Sequence, residues 1–88
     1  MKITYTKKFL KQLYKIPKDP RSKMEKFVFE ILPEMSSIGE SGKIEKMTGY
    51  QGFYKIRFGT YRIGLKIEKD TIVLKTVMHR SNIYQFFP

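Results

Sequence analysis

Apolar residues follow a helical period in the first third of the chain. The first helical segment runs from Lys7 to Ile16, and a second segment follows Pro20. The second segment carries an apolar stripe at Met24, Phe27, Val28, Ile31 and Leu32. Spacing at i, i+3, i+4 and i+7 is typical of an amphipathic helix that packs one face on a core. Pro17 is expected to end the first helix, and Pro33 to end or kink the second.

The starts of both helices are predicted from capping chemistry. Thr6 precedes the first segment and has the hydroxyl oxygen that an N-cap residue offers to a free backbone N–H. Asp19 is the matching candidate before the second segment, with Pro20 at the first helical position.

From Phe53 onward the pattern changes to alternation, which indicates strands. The runs FYKIRF, YRIGLKIE and TIVLKTVM are joined by the tight turns GT and KD, and KITY at residues 2–5 predicts a first strand. The Gly- and Ser-containing stretch 36–52 reads as a connection, with a short strand or turn around 43–47. The predicted order is β-α-α-β-β-β. This is an α+β fold, a single domain over 1–88 with two N-terminal helices on one face of a small, mainly antiparallel sheet.

The hairpin around Gly59-Thr60 predicts which side chains share a face. A two-residue loop places Arg57 opposite Arg62 and Lys55 opposite Gly64. Alternation then turns the apolar residues toward the helices and leaves Lys55, Arg57, Arg62 and Lys66 on the other face. Like charges opposite one another are destabilising, and these strands carry no Asp or Glu before Glu68. An anionic ligand would supply the missing charge; the alternative is a solvated face whose long cations splay apart.

The overall charge agrees with a polyanionic partner. Lys and Arg number 18 and Asp and Glu 8, so the net charge is +10. Nucleic acid, an anionic membrane or an acidic protein would each be attracted, and a merely basic protein without such a partner is the alternative. Cysteine is absent and His79 is the single histidine, so we expect no metal and no cofactor. The N-terminus lacks a secretory pattern and no apolar run is long enough to span a bilayer, so we expect a cytoplasmic protein without membrane attachment.

The candidate chemistry is phosphoryl transfer without a metal. Arg80 follows the last predicted strand and Tyr84 lies four residues further, so both are expected near the cationic residues of the hairpin. Guanidinium groups bind phosphate oxygens and stabilise charge that develops on phosphorus. Crowding by like charges favours loss of the Lys55 proton, which suits a general base. RNA fits best, because its 2′-OH is a built-in nucleophile. His79 is a further candidate base, although a structural role at the strand end is equally reasonable.

These residues resemble the RelE/ParE superfamily of toxins from type II toxin–antitoxin systems. The resemblance covers nearly the whole chain and is strongest in YKIRFGTYRIGLKI and MHRSNIY. It implies a RelE-like fold and, for the RelE branch, an endoribonuclease that cuts messenger RNA in the ribosomal A site. By this resemblance Lys55 is the base, Arg57 and Arg62 bind the phosphate, Arg80 serves the leaving group, and Tyr84 orients the nucleotide.

The resemblance also implies partners and leaves two alternatives. A cognate antitoxin is expected to mask the basic face, and the ribosome carrying messenger RNA is the expected target. The ParE branch shares the fold but inhibits DNA gyrase without cutting RNA. A non-catalytic nucleic-acid-binding module is the other alternative.

Overall fold

The computed structural model describes residues 2–88 and has the expected α+β architecture. The elements are β1 (Lys2–Tyr5), α1 (Lys7–Tyr14), α2 (Lys18–Lys26), β2 (Ile44–Lys46), β3 (Phe53–Phe58), β4 (Tyr61–Glu68), β5 (Thr71–His79) and α3 (Ile83–Phe86). The five strands form one sheet in the order β1-β5-β4-β3-β2. Within residues 2–88 only the β1–β5 pair is parallel, so the sheet is mainly antiparallel, as predicted.

Helix α1 begins where the chain leaves the sheet, and its polar side chains bond to the edge of β5. Thr6 is the N-cap: its hydroxyl oxygen accepts the Phe9 N–H at 3.1 Å, and the hydroxyl donates to the Lys75 carbonyl at 3.1 Å. The β4–β5 register shifts at Gly64/Leu65, which marks a bulge. Beside that bulge the Gln12 side-chain oxygen accepts the Val77 N–H at 3.0 Å. Side chains of the helix thereby satisfy backbone groups where β1 has ended.

The start of α2 differs from the prediction. The helix begins at Lys18 with Pro17 in the N-cap position, and no side chain caps it. Asp19 is therefore inside the first turn, where a carboxylate favourably meets the positive end of the helix dipole, and Pro20 is the third helical residue. The helix continues as a π-helical turn (Phe27–Ile31) and a 3₁₀ turn (Leu32–Glu34) that contains Pro33.

The main core lies between the helices and one face of the sheet. Its fully buried side chains come from α1, α2, the π-helical turn and the last three strands: Phe9, Leu13, Met24, Val28, Ile56, Ile63, Leu65 and Leu74. Tyr5 packs against this core and donates its hydroxyl to the Val28 carbonyl at 3.0 Å. Burial raises the pKa of Tyr5 above its ordinary value of 10.0.

A second apolar cluster lies on the opposite face of the sheet. Ile83 and Phe87 pack against Met47, with Phe53 and Met78 beside them. The short helix α3 and the residue after it thus cover part of the face that was expected to be polar. No helix among residues 2–88 is both long and apolar enough to cross a membrane.

Candidate active site

The predicted hairpin register is confirmed. Arg57 pairs with Arg62 and Lys55 with Gly64 across β3 and β4. We call the surface formed by Lys55, Arg57, Arg62 and Lys66 the cationic face. It lies on the side of the sheet opposite the main core, because side chains alternate along each strand.

Lys55 and Tyr84 come together on the cationic face. The Lys55 ammonium nitrogen lies 4.2 Å from the centroid of the Tyr84 ring, a cation–π arrangement. The Lys55 side chain is only 14% exposed, whereas Tyr84 is 64% exposed. Ile83 and Phe87 anchor the segment that carries Tyr84, so the second apolar cluster positions the aromatic ring over the lysine.

This site also contains a carboxylate, which was not expected from the sequence. Glu45 of β2 pairs with Lys55 of β3 in the sheet. Its carboxylate lies 3.8 Å from the Lys55 ammonium and 3.5 Å from the Arg57 guanidinium. The expectation of a face without compensating charge was therefore wrong for this pair of cations. The sequence indicated a short strand or turn around residues 43–47, but the longer connection between β2 and β3 gave no register that would have paired Glu45 with Lys55.

Arg62 and Arg80 both lie at the turn between β3 and β4. The Arg62 guanidinium donates to the carbonyls of Gly59 and Tyr61, both at 2.8 Å. The backbone N–H of Arg80 donates to the Thr60 carbonyl at 2.7 Å, and the residue is exposed. Both hydrogen bonds come from the same guanidinium nitrogen of Arg62, so these contacts do not use the N–H groups of its other two nitrogens.

His79 lies apart from Lys55. It pairs with Tyr61 across β4 and β5, so its side chain is on the helix-facing side of the sheet. Its Nδ1 accepts the Ser81 backbone N–H at 3.2 Å and lies 2.9 Å from the Ser81 hydroxyl. The acceptor role places the proton of a neutral ring on Nε2. Among residues 2–88, no three His, Cys, Asp or Glu side chains are grouped as metal ligands would be.

The comparisons with known proteins assign the family. A family model described as the ParE toxin of the type II toxin–antitoxin system parDE matches residues 3–84. The chain belongs to the RelE/ParE family of type II toxins. The toxin RelE3 of Methanocaldococcus jannaschii is 37% identical to this family member over 89 residues, covering all of both chains.

Solved structures of RelE proteins share the fold of this RelE/ParE toxin. The toxin in a RelB–RelE antitoxin–toxin complex from Methanococcus jannaschii has a TM-score of 0.78 and 34% identity, covering 97% of this chain and 99% of the other. The isolated Escherichia coli RelE toxin has a TM-score of 0.67 at 20% identity, covering 96% and 90%, and supports the fold alone. The predicted RelE-like fold is thereby confirmed.

Proposed function

We propose that this toxin is a metal-independent endoribonuclease that cuts messenger RNA in the ribosomal A site and so stops translation. The observation that carries the proposal is the placement of Lys55, Arg57 and Arg62 on one face, with the Tyr84 ring 4.2 Å from the Lys55 ammonium. Arg80 adjoins them at the β3–β4 turn. Such an array supplies a base, a charge-stabilising group and a stacking surface.

The proposed reaction is an attack of the 2′-oxygen on the adjacent phosphorus. Lys55, in its uncharged form, takes the 2′-OH proton. The 2′-oxygen bonds to phosphorus and the bond to the 5′-oxygen breaks, which gives a 2′,3′-cyclic phosphate and a 5′-hydroxyl. Arg57 and Arg62 stabilise the charge on the phosphoryl oxygens, and Arg80 stabilises the leaving 5′-oxygen, which takes a proton from water while Lys55 returns its proton to solvent. Tyr84 stacks on the neighbouring base.

Glu45 occupies the cationic residues of the site when no RNA is bound. In the free protein its carboxylate partners both Lys55 and Arg57. An incoming phosphate competes with the carboxylate for Arg57, since guanidinium binds either anion in the same forked geometry. Phosphate binding would also release Lys55 from one of its two contacts, leaving the Tyr84 ring to orient it.

A cognate antitoxin is part of the proposal. The similar toxin from Methanococcus jannaschii was solved as a RelB–RelE complex. For this toxin, with its net charge of +10, we expect an acidic or amphipathic antitoxin segment that covers the cationic face. The function would be exercised in the cytoplasm, where ribosomes translate.

Mapping RNA 5′ ends after brief expression of the toxin tests the proposal. We expect new 5′ ends inside translated reading frames, and none in transcripts that ribosomes do not engage. Lys55→Ala should reduce cleavage by about 10²-fold or more, the usual contribution of a general base. Lys11→Ala is the matched control, because it removes the same charge from an exposed position on α1.

Gyrase inhibition is the second candidate, and the ParE description of the matching family model favours it. If Lys55→Ala and Arg80→Ala both remain toxic, and transcripts stay intact while DNA is damaged, the gyrase reading replaces cleavage. A non-catalytic nucleic-acid-binding module would bind RNA without producing new 5′ ends.

A further inference from the structure

A groove of about 430 Å³ lies beside the cationic face, between the start of α2 and the β3–β4 turn. Its lining combines aromatic and charged side chains: Asp19, Lys23, Lys43, Arg57, Phe58 and Tyr61. Arg57 also belongs to the cationic face. Phe58 and Tyr61 lie on the helix-facing side of the sheet, so the groove meets the cationic face at Arg57, where the sheet ends at the β3–β4 turn.

Two aromatic rings form the apolar part of the groove. Phe58 and Tyr61 pair across β3 and β4 at the end of the sheet and are only partly buried. Edge-on contacts brace both rings from behind: Phe27 at 5.5 Å from Phe58, and His79 at 6.2 Å from Tyr61. Braced, partly exposed aromatic rings are the surfaces on which single-stranded bases stack.

Cations surround these rings. The Lys43 ammonium lies 5.1 Å from the centroid of the Phe58 ring, and the Arg57 N–H donates to the Lys43 carbonyl at 3.4 Å. Lys23 contributes a third cation from α2. Two carboxylates oppose the three cations, Asp19 in the groove and Glu45 at Arg57. The balance remains positive, and Asp19 can accept hydrogen bonds from the amino groups of a base.

We propose that this groove binds a further nucleotide of the single-stranded RNA substrate, whose backbone passes Arg57 and turns over the end of the sheet. The proposal rests on the proposed ribonuclease function and extends its substrate contacts beyond the reacting ribose. Lys23 and Lys43 each bind one backbone phosphate, and the base stacks on Tyr61 and Phe58. An acidic peptide would match the lysines but would leave the aromatic rings without planar partners, so RNA is the better fit.

Binding of a fluorescent 2′-O-methyl RNA oligonucleotide to the full chain tests the groove separately from catalysis, because such RNA has no free 2′-OH to attack. The Lys23→Ala/Lys43→Ala variant should bind the oligonucleotide more weakly than the wild type. The slope of log K for binding against log salt concentration should also be shallower than the wild-type slope by about 1.4, because each of two lost phosphate contacts contributes about 0.7 in single strands. The matched control is Lys7→Ala/Lys11→Ala, which removes two charges from exposed positions outside the groove.

The aromatic contribution has its own pair of variants. Tyr61→Leu should weaken binding by at least about fivefold, the lower end of base stacking, whereas Tyr61→Phe should keep it. Circular dichroism melts show whether each variant is folded, and the surface lysine variants test the groove even if Tyr61→Leu is not. The proposal is overturned if the groove variant and the control variant show equal salt slopes. It is also overturned if the protein does not bind the RNA oligonucleotide, or if it binds polyglutamate more tightly than RNA.

The outcome separates the two proposals. If groove variants lose RNA affinity while Lys55→Ala still cleaves, the groove stands and the assigned catalytic role fails. If Lys55→Ala abolishes cleavage and the groove variants bind like the control, only the groove is refuted.

Discussion

Replacing Gly64 by Ala would test whether the segment that carries Tyr84 and Phe87 must lie on the sheet to build the candidate active site. A Cβ at Gly64 would lie 2.7 Å from two ring carbons of Phe87 and 2.9 Å from a third. Carbon atoms pack best at about 3.5–4.0 Å, so the ring has to move by roughly 1 Å or leave the sheet. Because Phe87 follows α3 directly, movement of the ring also displaces Tyr84 from Lys55.

Two routes give the magnitude of the effect. Forcing an extra methyl group into a packed contact costs about 1–3 kcal/mol. If the ring instead swings into solvent, the protein loses the burial of one Phe side chain, about 1.5–3 kcal/mol. Either route predicts a loss of about 2 kcal/mol in the free energy of unfolding. For a domain of this size, that loss lowers Tm by about 8–16 °C.

Urea unfolding followed by circular dichroism measures the loss, and Gly39→Ala is the matched control. An added Cβ at Gly39 meets no atom within 4 Å. In a Phe87→Ala background the clash is absent, so Gly64→Ala should then cost less than about 0.5 kcal/mol in the free energy of unfolding. The difference between this cost and the cost in the wild-type background is the coupling energy of the two positions, which a double-mutant cycle measures. The NMR shifts of the Lys55 side chain, whose ammonium lies over the Tyr84 ring, should change in Gly64→Ala but not in the Gly39→Ala control. Wild-type stability with unchanged Lys55 shifts would refute the reasoning.

Three further predictions concern single side chains. Tyr5→Phe removes the hydrogen bond to Val28 and should cost about 1 kcal/mol in the free energy of unfolding. Because burial raises the pKa of Tyr5, the stability that the protonated hydroxyl contributes is complete below about pH 10 and is lost as pH rises through the raised pKa. The difference in stability between wild type and Tyr5→Phe, measured by urea unfolding, should therefore shrink in alkali. Gln12→Ala leaves the Val77 N–H without its acceptor and should cost about 1–3 kcal/mol by the same measurement. Glu45→Gln should raise the affinity for the fluorescent 2′-O-methyl RNA oligonucleotide severalfold with little change in stability, and unchanged affinity would contradict a competing role for this carboxylate.

The hairpin could be predicted from sequence because its two determinants are local. Gly59 adopts a positive φ of 54° in a two-residue loop, and strict alternation around it fixes which side chains share a face. The placement of Lys55, Arg57 and Arg62 on one face could therefore be predicted without information about tertiary contacts. The bulge in β5 comes after these positions along the chain and did not disturb their register.

Contacts between distant segments could not be predicted in the same way. The pairing of Glu45 with Lys55 depends on a three-residue strand within a Gly- and Ser-rich stretch, where local signals are weak. Phe87 packs over Gly64, a contact between residues 23 positions apart that no local pattern indicates. Phe87 is buried, whereas the adjacent Phe86 is 61% exposed. Chain composition does not tell which of two adjacent phenylalanines turns inward.

The sheet order has a consequence for how the toxin is made. Strand β5 lies between β1 and β4, so β1 can join the sheet only after β5 has emerged from the ribosome. Tyr84 and Phe87 follow β5 along the chain. The nascent chain therefore cannot assemble the candidate active site until residues up to Phe87 have emerged, and the sheet order itself delays the formation of that surface during synthesis.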